Sequence, residues 1–106
     1  LASGLSRSAE WGVGSSAGVL SGSGDARGEF FVVAAGTPAA NPTVTMTFAD
    51  GAFVNVPFVA VAPGQSNDQQ GAVWSVSARG TTSATFRFNA PPLSANTYAC
   101  NYVVIA

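Results

Sequence analysis

Hydrophobic and polar positions alternate with a period of two in several short windows of this chain. In Thr43-Val44-Thr45-Met46-Thr47-Phe48, the apolar side chains Val44, Met46 and Phe48 fall on one face and three threonines on the other, the signature of a half-buried pleated strand. Ala84 to Phe88 repeats it, with Ala84, Phe86 and Phe88 inward and Thr85 and Arg87 outward, and Val73 to Ala78 reads as a further strand. Glu29 to Ala34 is apolar on both parities and predicts a strand covered on both faces, and Phe58 to Ala62 reads as a further strand. In the last strand, Tyr98 to Ile105, Tyr98, Cys100, Tyr102 and Val104 share one face. Ala99, Asn101, Val103 and Ile105 share the other, and both faces are expected to be largely buried. No window sustains the i, i+3, i+4, i+7 stripe of an amphipathic helix.

Turn residues divide these windows. Asp50-Gly51 invites a two-residue hairpin, but that register would set Phe48 against Phe53 and Met46 against Asn55. A methionine on a buried face opposite an asparagine argues for a bent excursion through Asp50 to Val56 instead, with the next strand starting after Pro57. Six to eight short strands separated by turns predict an all-β fold, a small antiparallel β-sandwich with jelly-roll or Greek-key connections. Residues 1–17, rich in Gly and Ser, are expected to form a connection to an upstream stalk, and residues 18–106 the sandwich. Within the first segment, Glu10 to Val13 and Gly18 to Leu20 are candidates for short strands, because a tryptophan such as Trp11 is costly to leave in water.

Composition sharpens this picture. The 106 residues include 13 Val, 7 Phe, 2 Tyr and 2 Trp against 4 Leu and 1 Ile, a vocabulary of branched and aromatic side chains suited to sheets. Charged residues make up 8% of the chain, with 4 Arg, no Lys and a net charge of −1. There is accordingly no electrostatic footprint for nucleic acid or for an anionic membrane surface. No apolar run approaches the roughly 20 residues that span a bilayer. The start at Leu1, without a basic and then apolar leader, is expected to reflect a piece of a longer polypeptide. With one cysteine, Cys100, the fold is expected to be held by packing and association rather than by a disulfide. So few charges leave apolar surface for a neighbouring subunit to cover.

Candidate chemistry is thin. Without His or Lys, neither a Ser-His-Asp nor a Cys-His arrangement is available, and zinc lacks ligands. Calcium would have Asp50, Asn67, Asp68 and backbone carbonyls, in no ordered ligand series. Asp25 and Glu29 are the one closely spaced carboxylate pair, the minimum for a glycosidase, though their surroundings read as a solvated turn. No cofactor is expected, and the chain is expected not to be an enzyme. Trp74 reads as a core side chain, with a sugar-stacking platform as the alternative. The loop from Pro63 to Gly71 presents Gln65, Ser66, Asn67, Asp68, Gln69 and Gln70, a density of hydrogen-bonding groups that matches sugar hydroxyls. Arg79 and Arg87 are solvated charges whose guanidinium groups are suited to gripping hydroxyls or carboxylates.

A longer pattern runs through the chain. It comprises Leu20-Ser21-Gly22-Ser23-Gly24-Asp25-Ala26-Arg27-Gly28, an apolar strand, Thr43 to Phe48, Phe53, Pro57-Phe58-Val59-Ala60-Val61, and Tyr98-Ala99-Cys100-Asn101-Tyr102-Val103-Val104-Ile105. Over residues 18–106 this resembles the carboxy-terminal head domain of bacteriophage tail fibres, although Phe53 follows Phe48 one residue later than that pattern has it. The resemblance implies a homotrimer at the virion tail-fibre tip, assembled in the host cytoplasm, that recognises a host surface glycan or outer-surface protein. Its expected receptor-binding residues are Asn67, Asp68, Gln69, Gln70 and Arg79. No insertion into a membrane and no nucleic-acid partner is expected. The rival expectations are a purely structural trimerisation or capsid decoration domain, and a polysaccharide hydrolase using Asp25 and Glu29.

Overall fold

A computed structural model of the chain describes residues 4–49, 51–64 and 74–105. Eight strands form: β1 (Gly4–Arg7), β2 (Ser16–Val19), β3 (Arg27–Val33), β4 (Thr43–Thr47), β5 (Phe58–Pro63), β6 (Trp74–Arg79), β7 (Ser83–Phe88) and β8 (Thr97–Ile105). They make two four-stranded antiparallel sheets, ordered β1-β4-β7-β6 and β2-β3-β8-β5. Among the described residues the only helical element is a single 3₁₀ turn, Ala9–Trp11. The fold is thus all-β, as the period-two windows predict.

The alternating windows become strands for the expected reason. Val44 and Met46 of β4 and Ala84, Phe86 and Phe88 of β7 are buried, whereas Thr45 and Thr85 face outward and share a hydroxyl hydrogen bond of 3.0 Å across the pair. A bulge between Val76 and Ala78 interrupts the pairing of β6 with β7. β4 and β5 lie in different sheets, so no hairpin forms at Gly51, and β5 starts immediately after Pro57, as anticipated. Pro57 is buried at the strand entrance, where its missing N–H breaks no ladder bond.

Aromatic rings join the two sheets. Phe30 of β3 meets Phe86 of β7 and Trp74 of β6, each at 5.2 Å between ring centroids, and Phe88 meets Tyr98 of β8 at 4.7 Å. Such offset and edge-on contacts are worth about 0.5–1.5 kcal/mol each beyond the burial itself. Trp74 therefore belongs to the core, its first expected role.

Two expectations are corrected. The segment expected as a connection, residues 1–17, is from Gly4 onward part of the sandwich: β1 pairs with β4, β2 begins at Ser16, and Trp11 is fully buried among Trp74, Phe88 and Tyr98. Glu10 to Val13 forms the 3₁₀ turn and its exit rather than a strand. The last strand buries Tyr98, Cys100, Tyr102 and Val104 within the chain. On the other face Ala99 is buried, while Asn101, Val103 and Ile105 are exposed. Phe31 and Val33 on the same outer face are half-buried, the Phe31 ring lying over Gly18, where a Cβ would come within 2.7 Å of it.

Candidate functional site

The stretch Leu20–Gly28, between β2 and β3, is pinned on several sides. Leu20 N–H donates to the Glu29 carbonyl (2.8 Å) and Gly24 N–H to the Arg27 carbonyl (2.9 Å). The buried Ser23 hydroxyl accepts from Glu29 N–H at 3.1 Å and lies 3.3 Å from the Glu29 carbonyl, to which it donates. From β8, the Tyr102 hydroxyl donates to the Gly24 carbonyl (2.6 Å) and Val104 N–H to the Ala26 carbonyl (2.7 Å). Asp25, buried, accepts from Ala49 N–H through Oδ1 at 2.9 Å and so ties the turn to the end of β4. Gly22 adopts φ +90, the left-handed region where glycine is the default. Gly28 has no room for a side chain, since a Cβ would lie 2.5 Å from Ser23 and 2.7 Å from the Tyr102 hydroxyl.

Two cavities flank this turn. The first, about 430 Å³, is walled by Asp25, Ala26, Arg27, Ala52 and Phe53 together with three glycines. Phe53 is held by its N–H to the Thr81 carbonyl (2.8 Å) and by an edge-on contact with Phe48 at 4.9 Å. The second, about 410 Å³, is lined by Ser21, Arg27, Glu29, Asn101 and Tyr102 and by the bare backbone of Gly28. Gly22 and Arg27 belong to both. Volumes of this size fall in the range of roughly 300–1,000 Å³ typical of small-ligand sites.

Arg27 and Glu29 stand two residues apart on the outward face of β3, with Asn101 of β8 directly across from Glu29. Neither the Arg27 guanidinium nor the Glu29 carboxylate has a hydrogen-bond or ion-pair partner among the described residues. An unpaired cation and anion side by side, with an amide opposite, supply donors and acceptors to an uncharged hydroxylated molecule. Asp25 differs: its carboxylate already serves the Ala49 backbone, and in the fold it acts as a structural clamp.

Beneath the second cavity, burial pushes the Tyr102 phenol up to about 12, with the Asp25 and Cys100 charges adding to burial and a Ser23 hydrogen bond opposing it. Burial, seconded by the Glu29 charge, also raises the Cys100 thiol, which is an inert core group rather than a nucleophile. Both groups are held neutral by folding, so the stability they contribute is present below their ordinary pKa values and is lost as pH climbs through the folded ones. For Tyr102, from an ordinary value of 10.0 to about 12, the loss is on the order of 1 kcal/mol at pH 11. Urea titrations at pH 7 and pH 11 will show the midpoint falling in alkali, and Tyr102→Phe will flatten part of that fall.

Of the receptor-binding residues expected from the sequence, Asn67, Asp68, Gln69 and Gln70 lie outside the described residues, as do Asp50 and the rest of 65–73. Arg79 is exposed at the end of β6 and lines neither cavity. Its Nη1 donates to the Pro57 carbonyl at 3.0 Å, and its guanidinium sits 5.4 Å from the centre of the Phe58 ring. Arg87 is occupied locally, donating from Nε to the Asn89 side chain at 3.0 Å. Sequence reasoning noticed Asp25 and Glu29 as an acid pair and missed Arg27, Phe53 and Asn101. The one available signal was the glycine density around Asp25 and Arg27. Among the described residues no group of three His, Cys, Asp or Glu side chains is placed to hold a metal ion, and no helix is long and apolar enough to cross a membrane.

Phe58 is 69% exposed and pairs across the sheet with Ile105, 58% exposed, while Ala60 pairs with Val103, 46% exposed. These four side chains form one apolar block on the outer face of β5 and β8, continued by exposed Val56 and Val54 before it. Compared with known proteins, the chain matches no family model, no curated protein and no solved structure.

Proposed function

We propose that this chain is the tip module of a virion tail fibre, a homotrimeric head that binds a polysaccharide on the host cell surface without chemically altering it. The observation that carries the reading is the twin cleft: a hydrogen-bonded turn at one end of a sandwich, presenting an unpaired guanidinium, an unpaired carboxylate and an amide beside an aromatic ring. Hydroxyl-rich ligands are recognised by such groups, and a pinned scaffold spares the ordering cost that weakens loop-borne sites. Binding rather than hydrolysis is favoured by the engagement of Asp25 with Ala49 N–H, which leaves Glu29 as the one free carboxylate of the pair.

The apolar block at Phe58 and Ile105 supports association with further copies. Its one charged neighbour is Arg79, over the Phe58 ring, and it sets bulky Phe58 and Ile105 beside small Ala60 and Ala62, a relief that a second copy of the same surface is able to fill. Three copies around one axis close the assembly, and three shallow clefts on one rigid tip raise avidity by about 10²-fold or more.

Two measurements test the reading. Sedimentation at micromolar concentration is expected to give the mass of three chains, and Phe58→Asp, at an exposed position, to give one chain with its melting temperature nearly unchanged. Screening against an array of bacterial surface glycans is expected to find ligands, and Arg27→Ala to abolish their binding. A monomeric wild-type chain would remove the trimer. A trimer that binds no glycan would leave the scaffolding or capsid decoration role in its place.

A further inference from the structure

The two cavities differ in chemistry while sharing a wall, and that difference says more about the ligand than either does alone. On one side of Arg27 the lining is the more apolar of the two, with Phe53, Ala52 and Ala26 beside the buried Asp25. On the other side it is mixed, with the hydrogen-bonding groups of Ser21, Glu29 and Asn101 beside Leu20 and Tyr102. The Asn101 amide N–H donates to the Pro63 carbonyl at 3.4 Å, which orients its carbonyl oxygen as an acceptor for ligand hydroxyls. Arg27, unpartnered and common to both cavities, is the group able to donate to oxygens on either side.

Resting on the glycan-binding reading, we propose that the twin cleft holds two consecutive residues of an uncharged polysaccharide that carries acetamido groups. The ring hydroxyls of one sugar lie over Glu29 and Asn101, the acetamido methyl of the next packs against Phe53 and Ala52, and Arg27 spans the linkage. Two linked cavities of similar volume call for two linked units rather than one. A more apolar wall beside one richer in hydrogen-bonding groups calls for a sugar with an apolar substituent, because a bare hydroxylated ring would leave Phe53 and Ala52 uncompensated. Charge decides against an acidic polymer: one guanidinium stands among two carboxylates, Asp25 and Glu29, so an added anion meets an excess of negative charge. Phe53 is held by its backbone bond to Thr81 and its contact with Phe48 before any ligand arrives.

The test is an NMR titration of the full chain with four probes: N,N′-diacetylchitobiose, N-acetylglucosamine, cellobiose, and a disaccharide containing glucuronate. The acetylated disaccharide is expected to bind at least tenfold more tightly than its monosaccharide, and to shift resonances of Phe53 and Asn101 together. Phe53→Leu, which keeps the core contact with Phe48 but removes the flat ring, is expected to bring the acetylated disaccharide down to the level of cellobiose. Glu29→Gln is expected to weaken both. Equal affinity for monosaccharide and disaccharide, preference for the glucuronate probe, or shifts confined to one cavity would each overturn this inference. None of those three results touches the broader glycan-binding reading. Absence of binding by any probe overturns the acetamido assignment, and absence of binding across the whole glycan array removes the broader reading with it.

Discussion

Replacing Gly12 with alanine will unfold the sandwich or leave it destabilised by about 3 kcal/mol or more. Gly12 closes the 3₁₀ turn with φ 96 and ψ 156, a region populated essentially by glycine alone. A Cβ there would lie 1.7 Å from the Ala35 carbonyl oxygen, a backbone atom that cannot swing aside. The neighbouring Ala35 N–H donates to the Trp11 carbonyl at 3.2 Å, so the two chain segments are locked at this distance. Gly14→Ala is the natural control. Its φ is also positive (+89), but a Cβ would meet nothing nearer than 3.7 Å, so it should cost only about 1 kcal/mol. Urea unfolding of the two variants separates collision from backbone strain, and equal losses would show that the contact between Gly12 and Ala35 is not what confines position 12.

Trp11→Ala carries the second large effect, a loss of about 3–5 kcal/mol. Trp11 is fully buried, lies 5.9–6.1 Å from the rings of Trp74, Phe88 and Tyr98, and donates from Nε1 to the Thr43 carbonyl at 2.9 Å. Deletion opens a cavity touching both sheets and strands a buried acceptor. A domain of this size has only about 5–15 kcal/mol of stability in all, so a fall in melting temperature of at least 10 °C is expected. Trp11→Phe retains most of the ring volume and loses the hydrogen bond, which should halve the damage. A loss below about 1 kcal/mol for Trp11→Ala would mean that the segment before β2 is not integral to the fold.

Both predictions fall in the stretch that reads least like structure. β4 and β7 were legible because each buries one face, and a period-two alternation records that fact in the residues themselves. The departure at Gly51 was legible because a wrong register would have buried Asn55 opposite Met46. β1 left no such mark. Gly4–Arg7 is an edge strand with no fully buried residue, held by its pairing with β4 and by one half-buried side chain, Leu5, against the core. The composition around Trp11, dominated by Gly and Ser, advertises flexibility, and only the tryptophan hinted at burial. The outer face of β8 was legible as apolar, and its Val103 and Ile105 are exposed in the single chain. Hydrophobicity shows that a surface wants cover, and it does not show whether that cover comes from the same chain.

The cleft was hidden for a related reason. Arg27, Phe53 and Asn101 come from three separate parts of the sequence and meet only because β3 pairs with β8 and the loop before β5 folds back toward Thr81. No local spacing encodes such a meeting. The polar loop at 65–70, by contrast, stands out in sequence because its hydrogen-bonding groups are contiguous.

The order of the strands bears on how the protein is made. Five of the seven connections change sheet, and β8 lies between β3 and β5 rather than at an edge. During synthesis, β2 and β3 leave the ribosome without the strand that completes their sheet, and β5 emerges with no neighbour until residues 97–105 follow. Until β8 is made, the nascent polypeptide carries the open edges of β3 and β5 that β8 alone closes, so this sheet is completed by long-range pairing rather than by local hairpins.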